Sequence, residues 1–276
     1  ELPAAVLGGR IYVTGGFGDD EVVLATVEVF DPATGAWSAA PPMPGPRHHH
    51  GAVALNGKLY VAGGYSRLGA NWSRERTLFE YDPAAGAWTE RAPLALERAA
   101  MAAAAADGRL YLFGGTTGTA QQNHTSIYDP ATDTWSEGAR MPTPREHVAA
   151  AVIGSTLYVS GGRNLGLANV RTLEAYEPAT DTWRALAPMG TARSGHGMAA
   201  MNGKLYVFGG EDLAGPATLD QVEEYDPATN TWRALEALPD AITGLGAAAL
   251  ADRIHVIGGA DTSGRTQTAN RVFTVP

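Results

Sequence analysis

The chain has 276 residues, enough for one large domain or two small ones, with a formal net charge of −9 and no cysteine. The missing cysteine excludes disulfides, thiolate metal sites and thiol nucleophiles, and the acidic balance argues against a general nucleic-acid binder, which needs a basic stripe. No apolar run approaches the roughly 18 residues of a membrane span, and 34 glycines and 17 prolines describe a turn-rich chain.

Along the chain, short predicted elements recur in one order. A small, apolar strand comes first, as in Ala52-Val53-Ala54-Leu55, Ala102 to Ala106, Ala149-Ala150-Ala151-Val152 and Ala247-Ala248-Ala249-Leu250. The alanine run favours helix by propensity, but it is too short to nucleate one unaided, so a strand is expected. Asn56-Gly57, Asp107-Gly108 and Asn202-Gly203 follow as type I′ hairpin signals, with Gly154-Ser155 and Ala251-Asp252 as weaker versions. A second, nearly all-apolar strand such as Leu59-Tyr60-Val61 or Leu205-Tyr206-Val207-Phe208 has the pattern of a strand covered on both faces. It ends at a glycine pair, where close backbone approach is expected and no chemistry. After a third strand, Asp-Pro-Ala-Thr marks a type I turn into a strand bearing tryptophan.

The glycine pairs stand at Gly15, Gly63, Gly114, Gly161, Gly209 and Gly258 with their successors, so first-glycine spacings are 48, 51, 47, 48 and 49. Trp37, Trp88, Trp135, Trp183 and Trp232 follow the first five pairs at a near-constant distance. A period near 50 with paired glycines and a spaced tryptophan resembles the Kelch repeat of β-propellers over essentially the whole chain. The resemblance implies an all-β, six-bladed propeller forming one domain, residues 1–276, with blades at about 1–45, 46–96, 97–143, 144–191, 192–240 and 241–276. Alanine belongs at the narrow hub and tryptophan where blades diverge. Glu1 aligns with His49, and the sixth unit has no tryptophan strand, so the last blade should hold three strands. The native chain is expected to extend upstream of Glu1 and complete that blade.

In such a ring, the loops between second and third strands and those between blades share one face, which differs from unit to unit and is the place for binding residues. A residue that recurs in most units reads as architecture, and one that breaks the repeat reads as function. Arg47, Arg98, Arg145 and Arg193 each stand 16 residues before a glycine pair. They read as architecture, satisfying loop carbonyls or a carboxylate such as Glu28, Glu174 or Glu223, with contact to an anionic ligand as the alternative. The resemblance supports that alternative, since arginines around the opening of some eukaryotic Kelch adaptors hold acidic peptides. The long insertion at 65–76 carries Arg67, Trp72, Arg74 and Arg76, and Trp72 breaks the repeat, which makes this loop the preferred contact site. Asn71-Trp72-Ser73 and Asn123-His124-Thr125 match the short glycosylation pattern, but the Ala- and Arg-rich, Lys-poor composition looks bacterial and weighs against that use. The compartment stays open, with a secreted or periplasmic place ahead of the cytoplasm. The triplet His48-His49-His50, with His124, His147 and His196 on the same face, invites a metal, but in extended chain only His48 and His50 share a side; polar pocket histidines are the expectation, with no metal and no cofactor. Acidic loops at Asp19-Asp20-Glu21 and at Glu211-Asp212 with Asp220 read as solvated charge.

Catalytic motifs are missing: there is no GxSxG elbow, no phosphate-cradling loop and no GxGxxG opening a helix. Among Kelch-type enzymes, the copper radical oxidases need a cysteine that this chain lacks, and the Glu, Asp and His set of plant specifier proteins is not found. The bacterial sialic-acid mutarotase is a nearer analogue, and Glu146, His147, His196, Arg145 and Arg193 offer acid, base and anion-holding groups of the kind it implies. The first reading is a monomeric, non-catalytic recognition module for a protein, peptide or glycan, with Arg47, His49, Arg67, Trp72, Arg74, Arg98, Arg145, His147, Arg193 and His196 as binding candidates. A secreted carbohydrate mutarotase or isomerase is the alternative. A deep pocket joining a carboxylate–histidine pair to an arginine favours the enzyme, and a broad exposed patch at Trp72 favours the binder.

Overall fold

Asn56 and Gly57 turn the chain with φ of 51° and 76° between strands Gly51–Leu55 and Lys58–Ala62, the left-handed pair that a type I′ hairpin needs. Asp107-Gly108 and Asn202-Gly203 do the same, and Ala251 takes a left-handed φ of 56° at the weakest of these turns. The computed structural model describes residues 1–18, 22–67, 72–118, 120–164, 166, 168–215 and 217–275. In the first unit, Ala4–Leu7, Arg10–Thr14, Val27–Asp31 and Ala36–Ala40 pair antiparallel in chain order. The same sheet is built four more times, and Gly246–Leu250, Arg253–Ile257 and Asn270–Thr274 form a three-stranded sixth. The inner strand Gly246–Leu250 packs beside Ala4–Leu7, which closes a six-bladed β-propeller. No helix occurs among the described residues.

Taper governs composition as expected. Ala102–Ala106 is a strand, paired residue for residue with Arg109–Phe113, so closure of the ring overrides alanine's helix preference. At the hub there is room for little else: a Cβ placed on Gly51 would stand 2.9 Å from the Cβ of Ala103 in the next blade. The second strands fill the spaces between blades, as where Leu59 and Val61 pack against Tyr12 and Val27 of the first unit. On the perimeter, Trp88, Trp135, Trp183 and Trp232 donate their indole N–H to carbonyls of the preceding blade, Pro41, Ala92, Ala139 and Ala187, at 2.7–2.9 Å. Trp37, whose preceding neighbour around the ring is the three-stranded blade, shows no such bond among the described residues and is 39% exposed.

Two further stitches join blades. Gly64 donates its N–H to the Arg98 carbonyl of the next blade at 2.9 Å, while Gly63, at φ 57°, is pressed so closely on that carbonyl that no Cβ fits. Asp133 and Asp181, both left-handed, accept from Tyr128 and Tyr176 at 2.7 and 2.6 Å and from the Ala92 and Ala139 N–H of the preceding blade. The second of these is invisible in the repeat pattern because Asn230 takes the same role in the fifth unit.

Candidate functional site

Two residues before the inner strand, or three in the first blade, the chain reaches the propeller axis. Glu1, His49, Ala100, His147, Gly195 and Gly244 hold this place in blades one to six. Each residue from His49 to Gly244 donates its N–H to the carbonyl of its predecessor, at 2.7–3.4 Å, and Leu2 donates to Gly244 at 3.3 Å. The result is a closed belt of main-chain hydrogen bonds around the hole. From His49 to Gly244 the residues are left-handed, with φ between 53° and 70°. Glycine takes this conformation freely, whereas a histidine or alanine is strained by about 1 kcal/mol.

Below the belt lies a chamber of about 130 Å³, and beyond it an alanine-lined mouth of about 250 Å³. Above it, on the loop face, opens a basin of about 490 Å³, within the range of small-ligand sites. Its walls come from the residue after the glycine pair in five blades, Phe17, Tyr65, Arg163, Glu211 and Ala260, and from Glu146 and Thr243, which stand just before belt positions. In blades two to six the residue after the glycine pair and the residue before the belt position form single β-bridges, among them His48 with Tyr65, Glu146 with Arg163 and Ser194 with Glu211. One backbone plan therefore presents different chemistry in each blade.

The first two blades make an aromatic wall. His48 stacks on Tyr65 at 5.1 Å, Trp72 meets Tyr65 edge-on at 4.7 Å, and Phe17 lies 4.4 Å from His48. Trp72 stays 43% exposed. The fourth and fifth blades, opposite, make a charged wall. Arg163 stands 3.5 Å from Glu146 and 3.7 Å from Glu211, and His147 Nδ1 is 3.4 Å from Glu146 Oε1. Burial works against the Glu146 carboxylate, but His147 and Arg163 outweigh it and hold its pKa below the ordinary value. Glu1 spans the hole, with its two oxygens 3.6 Å from His49 Nε2 and 3.4 Å from His147 Nε2. Burial pushes His49 well below its ordinary pKa, so it is neutral, and pushes His48 down to about 4.

Of the residues singled out in the sequence, His49, Trp72, Glu146, His147 and Glu211 line the basin. Arg67 is exposed and gives its carbonyl to His48. Arg74 stacks over Tyr65 at 6.0 Å, behind the aromatic wall. His196 lines the chamber below the belt, bonds to Ser160 at 2.8 Å and is held to a pKa of about 3 by burial. His50 repeats this arrangement with Thr14. The four recurrent arginines are withdrawn from the opening: Arg145 and Arg193 are wholly buried, ion-paired to Glu174 and Glu223 and bonded to the Gly161 and Gly209 carbonyls. Arg47 bonds to Pro46 and Thr77, and Arg98 to Ser126, with burial lowering Arg98 to a pKa of about 10. Their surroundings are those of architecture, and none of the four lines the basin. Glu28 is exposed and takes no part.

His124 bonds to Glu137 in the third blade, away from the basin lining, and Asn123 is engaged with Met141 and Arg140. Asp19-Asp20-Glu21 and Asn71 fall outside the described residues. Phe17, Tyr65 and Arg163 were not singled out in the sequence. Their signal was available: the position after the glycine pair is fixed by the repeat, yet reads Phe, Tyr, Thr, Arg, Glu, Ala.

The chain matches the model of the KLHDC2/KLHL20/DRC7 Kelch-repeats domain over residues 3–138 and 89–259. It is 35% identical to Kelch-like protein 25 of Homo sapiens over 122 residues, 42% of this chain and 21% of that one. Over 113 residues it is 34% identical to Kelch-like ECH-associated protein 1A of Danio rerio, 41% of this chain and 18% of that one. The chain thus spans about a fifth of the length of these curated relatives. A solved structure titled "Structure of YjhT" superposes with a TM-score of 0.85 over 99% of this chain and 94% of that one at 16% identity, a likeness of fold.

Proposed function

Because the chain belongs to the Kelch-repeat family, we propose that it is a recognition module that takes a protein, peptide or glycan ligand in the axial basin without transforming it. One observation carries this reading: an exposed indole on an aromatic wall faces a charged wall across an opening of about 490 Å³. Aromatic rings supply apolar contact at small entropic cost, and the opposed Arg163, Glu146 and Glu211 supply orientation through charge-assisted hydrogen bonds. A compact group with one apolar and one polar face, such as a sugar ring or a peptide side chain, fits that division. Glycan and peptide arrays probed with the wild-type chain, Trp72→Ala and Arg163→Ala test it. A ligand class retained by the wild type and weakened roughly tenfold or more by each variant is expected. Capture that ignores both substitutions refutes the basin as the binding site.

A second reading, sugar isomerisation, is favoured by His147, whose ring nitrogens each lie 3.4 Å from a carboxylate, Glu146 on one side and Glu1 on the other. A histidine so flanked can pass a proton between a sugar hydroxyl and the ring oxygen. Anomer exchange of a panel of sugars, followed by NMR, separates the two: exchange catalysed by the wild type and lost in His147→Gln supports the enzyme, and binding without exchange supports the module.

A further inference from the structure

The belt positions ask for glycine, yet three of the six carry ligating side chains whose donor atoms gather on the axis. One donor atom from each of His49, His147 and the Glu1 carboxylate lies within 4.8 Å of the other two. Donors about 2.0–2.1 Å from a tetrahedral metal stand roughly 3.3 Å apart, and the contacts of the carboxylate with the two imidazoles are 3.4 and 3.6 Å. We propose that these three side chains form a site for a divalent metal of the zinc class, with a further coordination position open to the basin.

The hydrogen-bond inventory points the same way. The Arg67 carbonyl only accepts, so the His48 Nε2 that lies 3.4 Å from it bears a hydrogen. The two Nδ1 atoms of His48 and His49 share one hydrogen across their 2.6 Å contact, which turns His49 Nε2 toward the Glu1 carboxylate 3.6 Å away. His147 is oriented in the same sense, with Nδ1 and Nε2 each at ion-pair distance, 3.4 Å, from Glu146 and Glu1, and Nδ1 without a hydrogen-bond partner in the structure. A carboxylate behind a histidine is a common way to fix the tautomer of a metal-binding imidazole. Two neutral imidazoles and one carboxylate select zinc, cobalt or nickel over calcium or magnesium, which take oxygen ligands. The open position faces the aromatic and charged walls, where a ligand's oxygen or nitrogen would complete the shell.

The test is titration of the metal-stripped full chain with Zn²⁺ by calorimetry and with Co²⁺ by its visible absorption. The expected result is about one equivalent of Zn²⁺, and Co²⁺ bands of a four- or five-coordinate ion. His49→Ala and His147→Ala should each weaken binding at least tenfold, and Glu1→Gln, which keeps the backbone nitrogen and removes the carboxylate, should weaken it as well. Glu146→Gln, a positioning change, should cost about tenfold while leaving the cobalt spectrum of the saturated site four- or five-coordinate. Zn²⁺ should also raise the unfolding temperature of the wild type and not of His147→Ala, a readout independent of any ligand. No binding by the wild type overturns the proposal. So does binding of equal strength in the wild type and both histidine variants, or an octahedral cobalt spectrum. Circular dichroism of each variant shows whether it is folded, and where His49→Ala does not fold, His49→Gln takes its place.

Discussion

Glu224 offers a sharp test of how charge contributes to this fold. Its carboxylate is almost wholly buried and takes hydrogen bonds from Arg233 at 2.8 and 2.7 Å and from Lys204 at 2.8 Å. Arg233 above all, against the opposing effect of burial, holds its pKa down to about 2 from an ordinary 4.5. A lowered carboxylate pKa stabilises the folded state above its unfolded value and loses that contribution as pH falls through the folded one, here between about 4.5 and 2. At about 1.4 kcal/mol per unit the ceiling is roughly 3 kcal/mol. Lys204 and Arg233 are 32% and 55% exposed, so solvent screening brings the expected contribution to about 1–2 kcal/mol. Urea unfolding of wild type and Glu224→Gln, followed by tryptophan fluorescence at pH 7, 4 and 3, reads it directly. The wild type should be more stable at pH 7 by that amount, and the gap should close steadily below pH 4.5. A gap that persists unchanged at pH 3 would mean that shape, not charge, makes the difference. Glu80, set among Arg91, Lys58 and Tyr60 and also held to about 2, should behave alike.

Glu174→Gln strips Arg145 of its buried partner and should cost about 3–5 kcal/mol in urea, while Arg145→Met with Glu174→Met should recover part of that loss; a double variant no better than the single one would contradict the ion-pair account. Trp183→Phe removes the indole bond to Ala139 and should destabilise by about 1 kcal/mol more than Trp37→Phe, which has no such bond to lose; equal losses by differential scanning calorimetry would show that packing alone makes the perimeter tryptophans matter.

The propeller was legible because period and taper act on every unit: paired glycines follow from inter-blade contact, alanine from the crowded hub and tryptophan from the outer seam. The missing outer strand of the last blade followed from the same alignment. The site was legible in part. His49, His147 and Trp72, binding candidates from the sequence, line the basin, and the architectural reading of the recurrent arginines named Glu174 and Glu223 in advance, whereas the Ser126 hydroxyl that takes Arg98 lies 28 residues along the chain and has no repeat signal. Local spacing gave no warning of Glu1 meeting His49 and His147, because extended-chain geometry describes neighbours within one blade. Here the three residues come from three blades and are brought together by closure of the ring.

The belt of main-chain hydrogen bonds has an evolutionary corollary. Because peptide groups alone make it, the identity of the side chain at each of its six stations is released from any duty to hold the barrel of blades together. Glycine, alanine and histidine already coexist there under one left-handed geometry, and glutamate stands at the sixth station, where Leu2 donates in its place. A lineage of such rings can therefore try new reactive groups at its centre one station at a time, each at the small penalty of a left-handed residue, without renegotiating the scaffold.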